Sequence, residues 1–266
     1  MPYIVMRHSP NLVQGLVHQV RSVVFCGGEG VRLRPLTYYF QKTMIPIGSR
    51  QKPLLEYVIL LLRRHGLTDV LSLVNYKAEQ IINYFGDGSR FGVKMSYLRD
   101  DPSLKGSGGA LLNAKRRGFI TESEDLLVYY GDILTNMSLS DLMKRHQDRR
   151  AAATIALSMG FSIPVGVAEL SRDDRVTRFS EKPELDKPVS IGILALNGRA
   201  LGYLDKLSAE QNEIDVMGDL IPRLIADDEP VYAYSMNSFW YDVGSTEKYE
   251  KLSDGRVERY LGYLFR

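Results

Sequence analysis

The chain has 266 residues, 44% of them hydrophobic and 25% charged, which is the make-up of a globular protein long enough to bury a substantial core. Its 34 basic and 32 acidic residues leave a net charge of only +2, so there is no general attraction to nucleic acid or to a membrane surface, and any anion site has to be local. The longest apolar run, Val58 to Leu62, is far short of the roughly 20 residues that span a bilayer, and the lone Cys26 permits no internal disulfide, which points to a reducing cytoplasm.

In chain order, Leu12, Val13, Leu16, Val17 and Val20 recur at helical spacing. They predict a short packed helix in an N-terminal extension over residues 1–20, whose apolar side is a candidate for contact between copies of the chain. Val23 to Cys26 reads as the first strand, with Cys26 placed for packing. Leu54 to Arg64 reads as a heavily buried helix that starts at Lys52-Pro53 and stops at Gly66. Val70 to Val74 is the second strand, and Glu79 to Phe85 a helix ending at Gly86. Val93, Met95 and Tyr97 alternate with polar neighbours, as an edge strand with one wet face does. Ser107–Arg117 follows as a helix, Leu126–Tyr130 as a central strand, Leu139–Arg150 as a helix and Ala152–Met159 as a strand. Val165–Leu170, Val176–Phe179 and Ser190–Leu196 make a strand-rich second half, expected to extend the same sheet, and Ser245–Leu264 reads as helical with a break near Gly255. Strands alternating with helices predict an α/β fold, a largely parallel sheet covered on both faces. The main domain is drawn over residues 21–252, with a helical tail over 253–266.

Chemistry is concentrated in a few short stretches. Directly after the first strand stands Gly27-Gly28-Glu29-Gly30-Val31-Arg32-Leu33-Arg34-Pro35-Leu36-Thr37. Its glycines allow backbone N–H groups to approach an anion closely, and Arg32 adds a planar cationic fork. A Walker loop would end in Gly-Lys-Ser/Thr where Arg32-Leu33 stands, and a dinucleotide turn would need glycine at Leu33, so neither template fits. A second glycine-rich turn, Lys105-Gly106-Ser107-Gly108-Gly109, opens a helix whose first amides carry partial positive charge. Tyr130-Gly131-Asp132 ends the central strand, and Trp240-Tyr241-Asp242-Val243-Gly244 comes late in the chain. Carboxylates at the carboxyl ends of parallel strands lie where α/β sheets bind ligands, and magnesium is typically held by one or two carboxylates plus substrate phosphates.

The stretch Gly27 to Thr37 resembles, at every signature position, that of the nucleotidyltransferases that join a nucleoside triphosphate to a sugar 1-phosphate, and the resemblance runs from Ser22 to Leu252. It implies a three-layer α/β/α Rossmann-like nucleotide-diphospho-sugar transferase fold with a predominantly parallel mixed sheet. It further implies nucleotide binding by Gly27, Gly28, Gly30, Arg32, Asp100 and Gly108, and catalytic roles for Arg32, Lys42, Asp132 and Asp242. Mg2+ would be held by Asp132 and Asp242, and the sugar phosphate by Gly109, Glu181, Lys182 and Ser190. Two positions depart from the family pattern: Gln41 replaces the proline common before the lysine, which reads as loosening that loop, and Ser190 replaces a sugar-contacting asparagine. Asp100 could accept from guanine N1–H and N2–H2, which favours GTP with mannose 1-phosphate or a related hexose or heptose over uridylyl or thymidylyl transfer to glucose 1-phosphate. A non-catalytic regulatory subunit of the same fold is the rival class, opposed by the retention of Arg32, Lys42, Asp132, Lys182 and Asp242. Only residues 243–266 follow Asp242, too few for stacked hexapeptide coils, so an acyltransferase domain is not expected.

Overall fold

In the computed structural model, which describes residues 20–266, seven strands form one mixed sheet: β1 Val20–Cys26, β2 Asp69–Val74, β3 Lys94–Arg99, β4 Asp125–Tyr130, β5 Ala153–Ser158, β6 Val189–Asn197 and β7 Val231–Met236. Their spatial order is β7-β5-β6-β4-β1-β2-β3. Six strands run one way; β6 alone is antiparallel to both of its neighbours, β4 and β5.

Consecutive residues of a strand point to opposite faces, and both faces are covered here, so the central strands read as unbroken apolar runs. Val24, Val70, Leu127 and Ile193 join one hydrophobic core, while Val23, Leu71, Val128 and Leu194 join the other. The first core lies under helices α1 Leu54–Arg64, α2 Ala78–Phe85, α4 Leu139–Asp148 and the C-terminal α8 Asp254–Leu261; the second lies under α3 Gly106–Arg116, α5 Leu201–Glu210 and α6 Ile221–Ala226. The result is the expected three-layer arrangement. Helix α1 is buried continuously from Leu54 to Leu62, because the sheet covers one side and the C-terminal residues Leu261, Leu264 and Phe265 the other, with the Tyr57 and Phe265 rings edge to face at 4.9 Å.

Several expectations need correction. Val167–Leu170 and Val176–Ser180 do not extend the sheet; they pair only with each other, as an antiparallel hairpin whose side chains are nearly all exposed. Only β6 of the predicted second-half strands joins the main sheet. The helical tail breaks at Leu252-Ser253, between α7 Thr246–Lys251 and α8, not at Gly255, which lies inside α8; Ser253 caps α8 by accepting from Arg256 N–H at 3.3 Å. Val20 opens β1, and the remainder of the predicted N-terminal helix lies outside the described residues. Helices α5 and α6 and edge strand β7 occupy sequence that carried no predicted element. No described helix is long and apolar enough to cross a membrane.

Candidate active site

The carboxyl ends of β1, β2, β3 and β4 and the start of the reversed β6 all open at the same edge of the sheet, and the predicted site residues gather there. Gly27 follows β1 directly. A Cβ on Gly27 would stand 2.3 Å from Asp100 Oδ2 and 3.4 Å from the Asn75 Cβ, so the ends of β1, β2 and β3 close together around this glycine. Gly28 is exposed, with open space where a side chain would be, and Gly30 turns the chain with φ +65°. The turn is held from behind: Leu33 N–H and the Thr37 hydroxyl both donate to the Gly30 carbonyl, at 2.8 and 2.9 Å. Arg32, on a single 3-10 turn, is exposed. Burial pushes the Asp100 carboxyl up to about 6, so this group is more readily protonated than an ordinary aspartate.

Gln41 does not loosen the loop that carries Lys42. Its fully buried side chain donates from Nε2 to the Cys26 carbonyl at 2.6 Å and accepts at Oε1 from the Thr43 N–H and hydroxyl, at 2.6 and 2.7 Å. Its own N–H donates to Gln80 Oε1 on α2 at 2.7 Å. With three side-chain hydrogen bonds and one from its backbone N–H, Gln41 does what proline does with its ring, and ties the loop to β1 and α2. Cys26, buried at the end of β1, has its thiol pushed up to about 12 by burial, so it packs and does not react.

Lys42, held in this way, donates from Nζ to Asp132 Oδ2. Asp132 follows Gly131, whose N–H donates to the Phe25 carbonyl at 3.1 Å; a Cβ there would meet that oxygen at 2.8 Å, so only glycine lets the chain pass β1 at this point. A two-stranded ribbon then brings in Asp242: Ile133–Thr135 pairs with Trp240–Asp242, with Asp242 opposite Ile133, and Val243 N–H donates to the Asp132 carbonyl at 3.0 Å. Two aspartates far apart in sequence are therefore brought to the same end of one ribbon. Gly244 makes room for the second, since a Cβ there would lie 2.6 Å from Asp242 Oδ1. Among the described residues no group of three or more His, Cys, Asp or Glu is placed to hold a metal ion. Two half-buried carboxylates at one end of the ribbon nevertheless match the donor set that Mg2+ takes from a protein when phosphates supply its other ligands.

The second glycine turn is engaged by the protein itself. The amides of Gly108 and Gly109 both point at the Ile214 carbonyl, at 2.7 and 3.4 Å, and a Cβ on Gly106, which has φ +79°, would stand 2.2 Å from that oxygen. The Ser107 hydroxyl accepts from Val216 N–H and donates to Asp215, each at 2.8 Å, and Tyr130 OH donates to it at 3.2 Å. These glycines are therefore required for close approach to residues 213–216, and the contribution of Gly108 and Gly109 to any ligand site is space, not a free N–H.

On the far side, Glu181 and Lys182 are exposed at the end of the hairpin, Lys182 with φ +47°, and Glu181 lies beside Gly166. Ser190, exposed on β6, pairs with Leu157 in the bulged segment where β6 leaves regular register; Gly192, with φ +76°, fits against Tyr130. On α7, Glu247 is held below the usual carboxylate range mainly by Lys251, with smaller help from Lys182 and Lys248. Sequence reasoning missed Lys248, whose Nζ donates to Asp242 Oδ2. Its place six residues after Asp242, past a Ser245 cap, gives no periodic signal.

A family model described as nucleotidyl transferase matches residues 21–258. The chain is 31% identical over 254 residues to a UTP–glucose-1-phosphate uridylyltransferase of Synechocystis sp., covering 90% of this chain and 64% of the relative. It is 31% identical over 237 residues to a mannose-1-phosphate guanylyltransferase of Mycobacterium tuberculosis, covering 87% and 63%. It thus spans less than two thirds of the length of these relatives. Among solved structures, a putative glucose-1-phosphate thymidylyltransferase from Bacillus anthracis in complex with a sucrose shares the fold at a TM-score of 0.72 and 20% identity, over 90% of this chain and 95% of that one.

Proposed function

This chain belongs to the nucleotidyl transferase family, and we propose that it transfers a nucleoside monophosphate from a nucleoside triphosphate to a sugar 1-phosphate, releasing pyrophosphate. The observation that carries this reading is the ribbon that brings Asp242 to the same end as Asp132, which holds Lys42, together with an open glycine turn bearing Arg32.

The reaction needs no protein nucleophile. A phosphate oxygen of the acceptor attacks the α-phosphorus in line; a new P–O bond forms as the bridge to the β-phosphorus breaks, and the electron pair leaves with pyrophosphate. Positioning and electrostatics are what the protein has to supply. Gly27 to Gly30 bring bare backbone to the triphosphate, and Arg32 adds two parallel donors to it. Lys42 sits at the junction between the triphosphate and the carboxylates. Asp132 and Asp242 would hold Mg2+, which supplies neutralising charge to the phosphates when bound. Glu181 and Lys182 border the acceptor, Lys182 for its phosphate and Glu181 for its hydroxyls.

For the base, Asp100 supports GTP: guanine presents two adjacent donors, N1–H and N2–H2, to one carboxylate, whereas uracil and thymine present one. Mannose 1-phosphate or a related hexose or heptose is the matching acceptor, with uridylyl or thymidylyl transfer to glucose 1-phosphate as the second reading. The test is pyrophosphate release with Mg2+ across five nucleotides (GTP, UTP, dTTP, CTP and ATP), each with mannose 1-phosphate and glucose 1-phosphate. Acceptor-dependent release, strongest with GTP and lost in Asp132→Asn and Asp242→Asn, is expected. Release with UTP or dTTP alone refutes the guanine reading, and a silent but folded, nucleotide-binding protein that stays silent with a heptose 1-phosphate favours a regulatory subunit.

A further inference from the structure

Both metal-site carboxylates carry a lysine. Asp132 Oδ2 accepts from Lys42, and Asp242 Oδ2 accepts from Lys248. Each lysine neutralises a carboxylate that the ribbon brings to the same end of the sheet edge.

Lys248 is anchored at its backbone and loose at its head. Tyr241 OH donates to its carbonyl at 2.6 Å, Ser245 Oγ accepts from its N–H at 3.3 Å, and the first turn of α7 is fastened to the signature loop by the Thr246 hydroxyl, which lies 3.3 and 3.4 Å from the Arg32 and Arg34 carbonyls. The side chain itself is 42% exposed, against 24% for Asp242. An ammonium and a divalent cation compete for the same carboxylate oxygen, and the doubly charged ion gains more there. A lysine displaced from Asp242 would swing on its four-carbon stem within a fixed radius of the site.

We propose that Lys248 is an exchange lysine: it is the counter-ion of Asp242 in the resting protein, and when a divalent cation takes Asp242 it turns to a substrate phosphate. The first turn of α7 is fastened to the signature loop through Thr246, so the released ammonium stays beside the loop proposed to meet the phosphates. The assignment to a substrate phosphate rests on the function proposed above; the competition for Asp242 does not.

The test uses the full chain with Lys248→Met, which keeps the stem and removes the charge, and Lys248→Arg, which keeps a cation. Mn2+ binding, read from the loss of the free-ion EPR signal without substrates, is expected to tighten by about threefold or more in Lys248→Met, since the competitor is gone. In steady-state kinetics the KM of a phosphate-bearing substrate, nucleotide or acceptor, is expected to rise about tenfold in Lys248→Met, and Lys248→Arg is expected to recover most of that loss. Opposite effects on metal and substrate distinguish exchange from a structural role, which would weaken both. Unchanged or weaker Mn2+ binding overturns the exchange, and two unchanged KM values overturn the assignment to a substrate phosphate. If the wild type proves inactive with every substrate pair, the proposed function falls while the Mn2+ comparison still decides the competition for Asp242.

Discussion

Replacing Gln41 by alanine removes a buried amide that satisfies three other groups: the Cys26 carbonyl at 2.6 Å and the Thr43 N–H and hydroxyl at 2.6 and 2.7 Å. At about 1 kcal/mol net per hydrogen bond, and more where a buried partner is left bare, the loss is expected to be about 3 kcal/mol. For a chain of this size that lowers Tm by about 6–12 °C. The backbone bond from the Gln41 N–H to Gln80 survives, so the loop is expected to sag locally without detaching. Because Lys42 is the next residue, kcat/KM should fall by more than the fraction unfolded accounts for. Urea unfolding gives the stability term and pyrophosphate release at a temperature well below Tm gives the second. A stability loss under about 1 kcal/mol would show that water replaces these bonds at no cost and that the loop is loosely held after all. Proline tests the same argument from another direction: the native φ of −63° and ψ of 142° suit it, yet it loses the three side-chain bonds and the N–H bond to Gln80, so it too should destabilise.

Gly244→Ala places a methyl 2.6 Å from Asp242 Oδ1 and should cut kcat/KM by at least about tenfold with Tm little changed; comparable losses of both would place the strain in the backbone instead. Asp100 accepts from both guanine donors at once only when ionised, so the nucleotide KM should climb as pH falls through about 6, and Asp100→Asn should remove that dependence while raising KM at neutral pH; a flat wild-type profile would refute the role. His146 is buried with its pKa lowered, chiefly by burial and less by Arg199, against the opposing pull of Asp125. The folded state therefore binds fewer protons than the unfolded one below the ordinary histidine pKa of about 6.5, and stability should fall as pH drops through that value; His146→Gln should flatten the slope in chemical denaturation. Gly106→Ala meets both φ +79° and the Ile214 carbonyl at 2.2 Å, and is expected to cost more than about 3 kcal/mol, a loss that urea unfolding measures.

The parts of this fold that were legible are those whose signal is local. Val23-Val24 and Leu126 to Tyr129 show unbroken apolar runs, and Val70 to Val74 one broken only by the buried Ser72, because both faces of the sheet are covered; α1 shows one because the C-terminal segment covers its outer side. The hairpin at 167–180 is rich in strand-forming residues like those of the sheet, and nothing within it distinguishes a strand joined to the sheet from one that leaves it. The glycine turn, Lys42 and the two aspartates were read as one site from motif resemblance alone; the ribbon that sets Asp242 opposite Ile133 was not legible, since it depends on pairing between distant segments. Gln41 was misread for the same reason: its partners, Cys26 and Gln80, lie on other elements. For Gly108 and Gly109 the amides were correctly placed at a helix start, but their occupant, the Ile214 carbonyl, arrives from far along the chain.

The reversed strand has a consequence for how such a protein can diversify. Val189, at the start of β6, is the register partner of Ser158, at the end of β5, so everything between them leaves the sheet and returns to it at a single rung. That excursion, residues 159–188, contains the exposed hairpin together with Glu181 and Lys182, and it makes no rung with any strand of the main sheet. It is in effect a cassette clipped into a fixed frame: its length and composition can be exchanged while the nucleotide side, built on β1 to β4, keeps its register. On the function proposed above, a change of acceptor could then be worked largely through this one interchangeable segment while the nucleotide side keeps its frame.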